Sequence, residues 1–147
     1  MEEGTVIKST GSWYQVVLDN QEQVQCRIIG KFRLNGLKLT NPVAVGDRVL
    51  VEMDTDDDTG LIKEILPRRN YVVRQSPRQK HNLHLLASNV DQAVVIVTIV
   101  QPKLKQGFID RFLLMTEPYD IPTFIVFNKA DQYDEGDLGV YEYLKEI

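Results

Sequence analysis

Hydrophobic positions along the chain keep two different rhythms. Up to about residue 66 they come in short runs with a period near two. Thr5-Val6-Ile7-Lys8, Tyr14-Gln15-Val16-Val17-Leu18 and Gln23-Val24-Gln25-Cys26-Arg27-Ile28 are the first three. Arg48-Val49-Leu50-Val51-Glu52-Met53 and Gly60-Leu61-Ile62-Lys63-Glu64-Ile65-Leu66 are the next two, the last closed by Pro67. Such runs predict half-buried strands, because alternate side chains of a strand point to opposite faces. Thr10-Gly11-Ser12, Asp19-Asn20, Asn35-Gly36, Asn41-Pro42 and Gly46-Asp47 supply turn chemistry between them. Five short strands without a helix predict an all-β OB-fold barrel over residues 1–66.

The second half changes period. Val90 to Val100 is a nearly continuous Val/Ile-rich run, the pattern of a parallel strand buried on both faces. Phe108, Ile109, Phe112, Leu113 and Met115 then recur at helical spacing, predicting a helix from Gly107 to Glu117. Pro122-Thr123-Phe124-Ile125-Val126-Phe127 is a second buried strand. Strand, helix and strand in this order make a right-handed crossover unit, the start of an α/β domain over 89–147. Residues 67–88 between the two parts are read as a basic linker.

Composition narrows the picture. The chain has 147 residues and is 43% hydrophobic, which excludes disorder throughout. No apolar run is long enough to span a bilayer, and Met1-Glu2-Glu3 does not open a signal peptide. The single cysteine, Cys26, cannot form an internal disulfide, which fits a reducing compartment. A cytoplasmic protein without membrane contact is expected. His81 and His84, far from Cys26, form no metal-ligand pattern, and no metal site is expected.

The net charge of −4 hides a partition: −4 over residues 1–64, +5 over 65–90, −5 over 91–147. The protein is not a general polyanion binder, but its middle can meet phosphate, since counterion release depends on local cation density. A solvated linker is the alternative. Arg68, Arg69 and Arg74 there, with Lys31, Arg33 and Lys38 in the long Gly30–Pro42 loop, are the candidate RNA contacts. Trp13 is either a stacking platform or an aromatic capping the barrel rim. Asp54, Asp56, Asp57 and Asp58 form a solvated turn. A calcium loop would need glycine and glutamate where Thr59 and Ile65 stand.

Asn128-Lys129-Ala130-Asp131 follows the second buried strand directly. Three fixed positions arise by chance about one time in fifty in this length. Its place also matches open α/β sheets, which bind ligands at the carboxyl ends of their strands. Asn-Lys-x-Asp resembles the guanine-recognition motif of GTPases; an N-capping aspartate in an ordinary loop is the alternative. By the resemblance, Asp131 accepts guanine's ring N–H and exocyclic amine, Asn128 braces the loop and contacts the base, and the Lys129 stem lies over its ring.

No Gly-x4-Gly-Lys-Ser/Thr phosphate loop precedes the motif; Gly30-Lys31 runs into Phe32, with Gln25 where the first glycine belongs. The phosphate loop must then lie downstream, in a circularly permuted domain. Gly4-Thr5-Val6, Cys26 to Lys31 and Val45-Gly46-Asp47-Arg48-Val49 look like the OB domains of bacterial ribosome-binding factors. With Pro67-Arg68, Asn89-Val90-Asp91-Gln92 and Ile109-Asp110-Arg111-Phe112, the ordered set resembles the ribosome-small-subunit-dependent GTPase A family, RsgA or YjeQ.

The resemblance implies a monomeric protein that binds GTP and GDP, uses magnesium, and contacts the small ribosomal subunit and its rRNA. It implies GTP hydrolysis stimulated by that subunit during its late maturation. The family's phosphate loop, switch segments and zinc-binding C-terminal region have no counterpart in these residues. The chain is therefore expected to be the front part of a longer protein, inactive by itself, with no catalytic residue of its own. A non-catalytic OB-fold module that binds rRNA or the ribosome is the second reading.

Overall fold

A computed structural model describes residues 1–28, 41–75 and 83–146. Lys31, Arg33 and Lys38 lie outside the described residues. The first five strands are β1 (Glu2–Thr10), β2 (Trp13–Leu18), β3 (Gln23–Ile28), β4 (Arg48–Met53) and β5 (Thr59–Ile65). They close into a barrel in the order β1-β2-β3-β5-β4, with β4 returning to β1. Every pairing is antiparallel except that of β3 with β5. A register shift between Val6 and Lys8 bends β1 so that it can serve both β2 and β4.

The alternation read from the sequence sorts these strands correctly. Tyr14, Val16 and Leu18 of β2 and Val24 and Cys26 of β3 point inward, meeting Val6, Val49, Val51 and Ile62 in one sealed core. Residues between them face outward and carry the polar load, as in the Gln15–Gln23 side-chain hydrogen bond of 2.6 Å. Burial also sets the chemistry of the one thiol. Taken out of water, the Cys26 thiol is pushed up to about 11 despite a backbone hydrogen bond from Gly60.

Within residues 67–88, read from the sequence as a basic linker, two described strands pair antiparallel: β6 (Tyr71–Gln75) and β7 (Leu83–Ser88), with Tyr71 opposite Ser88 and Arg74 opposite His84. Among the described residues of this hairpin, only Val72 and Ser88 are buried, so its strands carry little alternation for a sequence reading to detect. The chain divides into two compact units, Met1–Val90 and Asp91–Ile147, and the hairpin falls with the barrel.

In the second unit β8 (Ala93–Val97) and β9 (Thr123–Phe127) run parallel, with α1 (Gln106–Thr116) between them in sequence. Val95, Val97 and Ile109 are its buried centre, with Phe112, Leu113 and Phe127 packed around. The expectation of strands buried on both faces holds for one face only. Val94, Ile96, Phe124 and Val126 project from the other and are 45–66% exposed. No described element covers them.

A second helix, α2 (Glu135–Glu146), follows. Its start is a reciprocal cap: Asp137 N–H donates to Asp134 Oδ1 at 2.8 Å, and Asp134 N–H to Asp137 Oδ2 at 3.0 Å. Among the described residues, no helix is long and apolar enough to cross a membrane.

Candidate nucleotide-binding loop and barrel anchor

Asn128 to Asp131 occupy the carboxyl end of β9. The β8–β9 ladder runs one residue past the strand, Asn128 N–H donating to Val97 O at 2.7 Å. The chain then turns sharply through Lys129, whose φ of 61° and ψ of 35° are left-handed. A single 3₁₀ turn over Ala130–Gln132 carries Asp131. It is closed by Gln132 N–H to Lys129 O at 3.0 Å and Tyr133 N–H to Ala130 O at 3.2 Å. Lys129 Nζ reaches back to the carbonyl of Gln101, beyond β8, at 2.5 Å.

These bonds leave the side chains of Asn128 and Asp131 free. Both are exposed, and no described residue takes up either one. The Asp131 carboxylate offers two acceptors side by side, the complement of two neighbouring N–H donors on a ring edge. An apolar groove of about 920 Å³ lies alongside, lined by Ile109, Leu113, Phe127, Tyr141 and Leu144 among others. Ala130 of the loop and Tyr133 just beyond it also line this groove, whereas Asn128 and Asp131 do not. Among the described residues, no group of three or more His, Cys, Asp or Glu side chains is placed to hold a metal ion. In GTPases magnesium is held chiefly by the phosphate-loop hydroxyl and the nucleotide's own phosphates, and residues 1–147 contain no such loop.

The candidate RNA contacts separate. Arg68 must be withdrawn from them, because its guanidinium is committed inside the protein. Its Nε and a terminal nitrogen each donate to the fully buried Asp47 carboxylate at 2.6 Å, and that nitrogen also donates to Pro42 O at 2.8 Å. Only 11% of the Arg68 side chain is exposed. A phosphate could engage it only by stripping Asp47 of its counter-charge. Arg69 and Arg74 are exposed, Arg69 also donating to Asn89 O at 3.1 Å.

Trp13 lies outside the core at the start of β2, with the Arg27 guanidinium of β3 4.7 Å from its ring centroid. The two make a cation–π pair on the outer face of β2 and β3.

Around Asp47 the barrel meets the hairpin. Ser88 Oγ donates to its Oδ1 and Ala44 N–H to its Oδ2, while Asn89 Nδ2 donates to Gly46 O at 2.9 Å. Asn70 clasps Val90 from both sides, Nδ2 to its carbonyl at 2.8 Å and Oδ1 from its N–H at 2.6 Å. Three separate stretches that carry the sequence resemblance, around Asp47, Arg68 and Asn89, are thus one polar anchor. Sequence reasoning had the residues but not their meeting. Tyr133, which also touches the loop, was missed, because its hydroxyl bonds only to backbone.

A closed OB-type barrel followed by a parallel β-α-β unit with Asn-Lys-x-Asp at its second strand end defines a class: a barrel joined to part of a GTPase-type domain. The RsgA N-terminal domain model matches residues 3–62, and the RsgA GTPase model matches residues 65–147. The chain belongs to the RsgA GTPase family. The family boundary, near Ile65, assigns the hairpin to the GTPase side, whereas compactness groups it with the barrel.

The small ribosomal subunit biogenesis GTPase RsgA of Christiangramia forsetii is 46% identical over 147 residues, covering 99% of this chain and 47% of that protein. The protein of the same name from Bacteroides fragilis is 49% identical over 141 residues, covering 96% and 45%. Among solved structures, YjeQ from Thermotoga maritima superposes with a TM-score of 0.69 at 32% identity, covering 99% of this chain and 48% of that one. YloQ, described as a circularly permuted GTPase, gives 0.64 at 31%, covering 99% and 47%. The chain spans a little under half the length of the curated relatives it matches.

Proposed function

We propose that this chain carries the guanine-recognition loop and the ribosome-facing barrel of a cytoplasmic GTPase that acts in late maturation of the small ribosomal subunit. The observation that carries the reading is the Asn128–Asp131 loop, held by backbone bonds at the carboxyl end of β9 with Asn128 and Asp131 side chains unengaged. In this reading Asp131 accepts guanine's ring N–H and exocyclic amine together. Adenine presents neither pair of donors there and is rejected. Asn128 contacts the base, and the Lys129 stem covers its ring.

The 147-residue chain alone binds base without hydrolysing GTP. It contains no phosphate loop to cradle the transferring group, and phosphoryl transfer depends almost wholly on such positioning and charge stabilisation.

Substitution of Asp131 tests this directly. Replacing one carboxylate oxygen by an amide puts a donor where guanine's amine needs an acceptor. In the protein at its native length, Asp131→Asn lowers GDP affinity about 10- to 100-fold, the scale of one bidentate base contact. It raises affinity for xanthosine diphosphate, which carries a carbonyl at that position. Unchanged GDP preference would refute the reading.

The second reading, an RNA-binding module that needs no nucleotide, is supported by the Trp13–Arg27 pair on the β2–β3 face and by exposed Arg69 and Arg74. Lys31, Arg33 and Lys38 remain its candidates in the long loop. It expects binding to small subunits that weakens steeply with salt, with a shallower slope once Arg69 and Arg74 are neutralised. Salt-insensitive binding would count against it.

A further inference from the structure

We infer that Tyr133 is a positioning residue for the guanine loop, an inference that rests on the base-binding role proposed for Asp131. Its hydroxyl accepts Ile99 N–H at 3.2 Å and donates to Asn128 O. Ile99 lies two residues beyond β8 and Asn128 one residue beyond β9. One oxygen, used once as acceptor and once as donor, therefore ties together the mouths of two neighbouring strands.

The consequence falls on Asn128. Its N–H is already held by Val97 O, and Tyr133 holds its carbonyl, so both of its backbone polar groups are fixed. Fixing both sets the direction in which the chain enters the left-handed turn at Lys129. That turn is a conformation a residue with a Cβ adopts reluctantly and keeps only when its surroundings enforce it. Asp131 stands two residues further on, so the tilt of its carboxylate toward a base follows from the same bond. Ile99 is buried, and without the hydroxyl its N–H has no other partner described.

The expected signature is a loss of discrimination as well as of affinity. Tyr133→Phe removes one oxygen and keeps the ring. In the protein at its native length, GDP and inosine diphosphate are titrated against wild type, Tyr133→Phe and Asp131→Asn. Inosine lacks the exocyclic amine, so the ratio of the two affinities reports whether Asp131 is in register with it.

Tyr133→Phe is expected to weaken GDP binding about tenfold, the scale of one lost hydrogen bond. It should also narrow the preference for GDP over inosine diphosphate. A general loss of stability would lower the binding-competent fraction for both nucleotides alike and leave the ratio unchanged, so an unchanged ratio overturns the inference. If Tyr133→Phe changes nothing while Asp131→Asn shifts preference, positioning fails and base recognition stands. If neither changes the ratio, base recognition itself fails. Hydrogen exchange adds a check that needs no variant: the Ile99 amide should exchange slowly in wild type, and rapid exchange overturns the bridge.

Discussion

Arg68 and Asp47, 21 residues apart in sequence, meet in two 2.6 Å hydrogen bonds, one to each carboxylate oxygen. Asp47 has no solvent exposure, and the same two oxygens also receive Ala44 N–H and Ser88 Oγ. A buried carboxylate is tolerable when its charge is countered and its lone pairs are filled, and here both conditions hold. The pair joins the turn before β4 to the segment that leads from the barrel into β6. Ser88, at the end of β7, closes the same carboxylate from the other strand. The anchor therefore orients the hairpin on the barrel through polar geometry, with little apolar burial to help.

Breaking one side of that pair should be costly. Arg68→Met leaves Asp47 charged and enclosed without its partner, and the expected loss is about 3–5 kcal/mol of unfolding free energy. Urea denaturation of Arg68→Met, Asp47→Asn and the double variant measures it. The double variant should lose less than the two singles added together, because the second change removes the orphaned charge. Strict additivity would mean the residues do not act as a unit.

Gly46 is the hinge of this anchor. Its φ is +96°, and a Cβ built there would stand 2.0 Å from Ser88 O. Backbone conformation and backbone contact both exclude a side chain, and the contact cannot yield, because Ser88 N–H is bonded to Val45 O at 2.9 Å. Gly46→Ala is expected to destabilise the first unit by about 1–3 kcal/mol or more. Thermal unfolding of the variant checks this, with Gly11→Ala as comparison. Gly11 also has a positive φ, +59°, but open space for a Cβ.

What the sequence made legible follows from periodicity. Tyr14, Val16 and Leu18 alternate strictly and are buried as the pattern requires, and all five barrel strands were readable. Asn128 to Asp131 were readable because the motif is contiguous and follows an apolar strand. The β6–β7 hairpin was not, because most of its residues are half exposed and its arginines advertised charge rather than structure. Counting cations also cannot reveal that Arg68 is neutralised by a residue in another loop. The helix α2 buries none of its residues fully, though Leu138, Tyr141 and Leu144 recur at helical spacing and Leu144 packs on the core of the second unit. The Asp134/Asp137 spacing of a capping box was a further local signal. Tyr133 was invisible for a different reason: both groups it binds are backbone, which no side-chain pattern encodes.

Cys26 should be chemically silent in the folded chain. Burial pushes its thiol from 9.0 up to about 11, so at neutral pH it is neither ionised nor accessible. A thiol reagent at pH 8 is expected to react only when urea unfolds the barrel. The same shift has a sign for stability. The folded pKa is raised, so the contribution is complete below about 9, where both states hold the proton. It is lost as pH rises toward about 11, because the unfolded state ionises first. The stability advantage of wild type over Cys26→Ala should therefore shrink by about 1.4 kcal/mol per pH unit across that interval. A constant difference from pH 8 to 11 would contradict the shift.

The uncovered face of the β8–β9 sheet makes the last prediction. Val94, Ile96, Phe124 and Val126 sit opposite each other in register, Val94 with Phe124 and Ile96 with Val126, so their exposed side chains form one contiguous apolar surface. The opposite face is already packed against α1 through Val95, Val97 and Ile109. The exposed surface is thus not needed to hold the two strands to the helix. A dye such as anilinonaphthalene sulfonate, which brightens on apolar surface, is expected to bind the folded 147-residue chain. Ile96→Lys with Val126→Lys should abolish most of that signal while the far-UV circular dichroism of strands and helices persists. The lysines face water on a solvated side and disturb no buried contact. If the double variant unfolds the second unit instead, the face is part of its core. If dye binding persists undiminished, the apolar surface that matters lies elsewhere, and the groove lined by Phe127, Tyr141 and Leu144 is the next to charge.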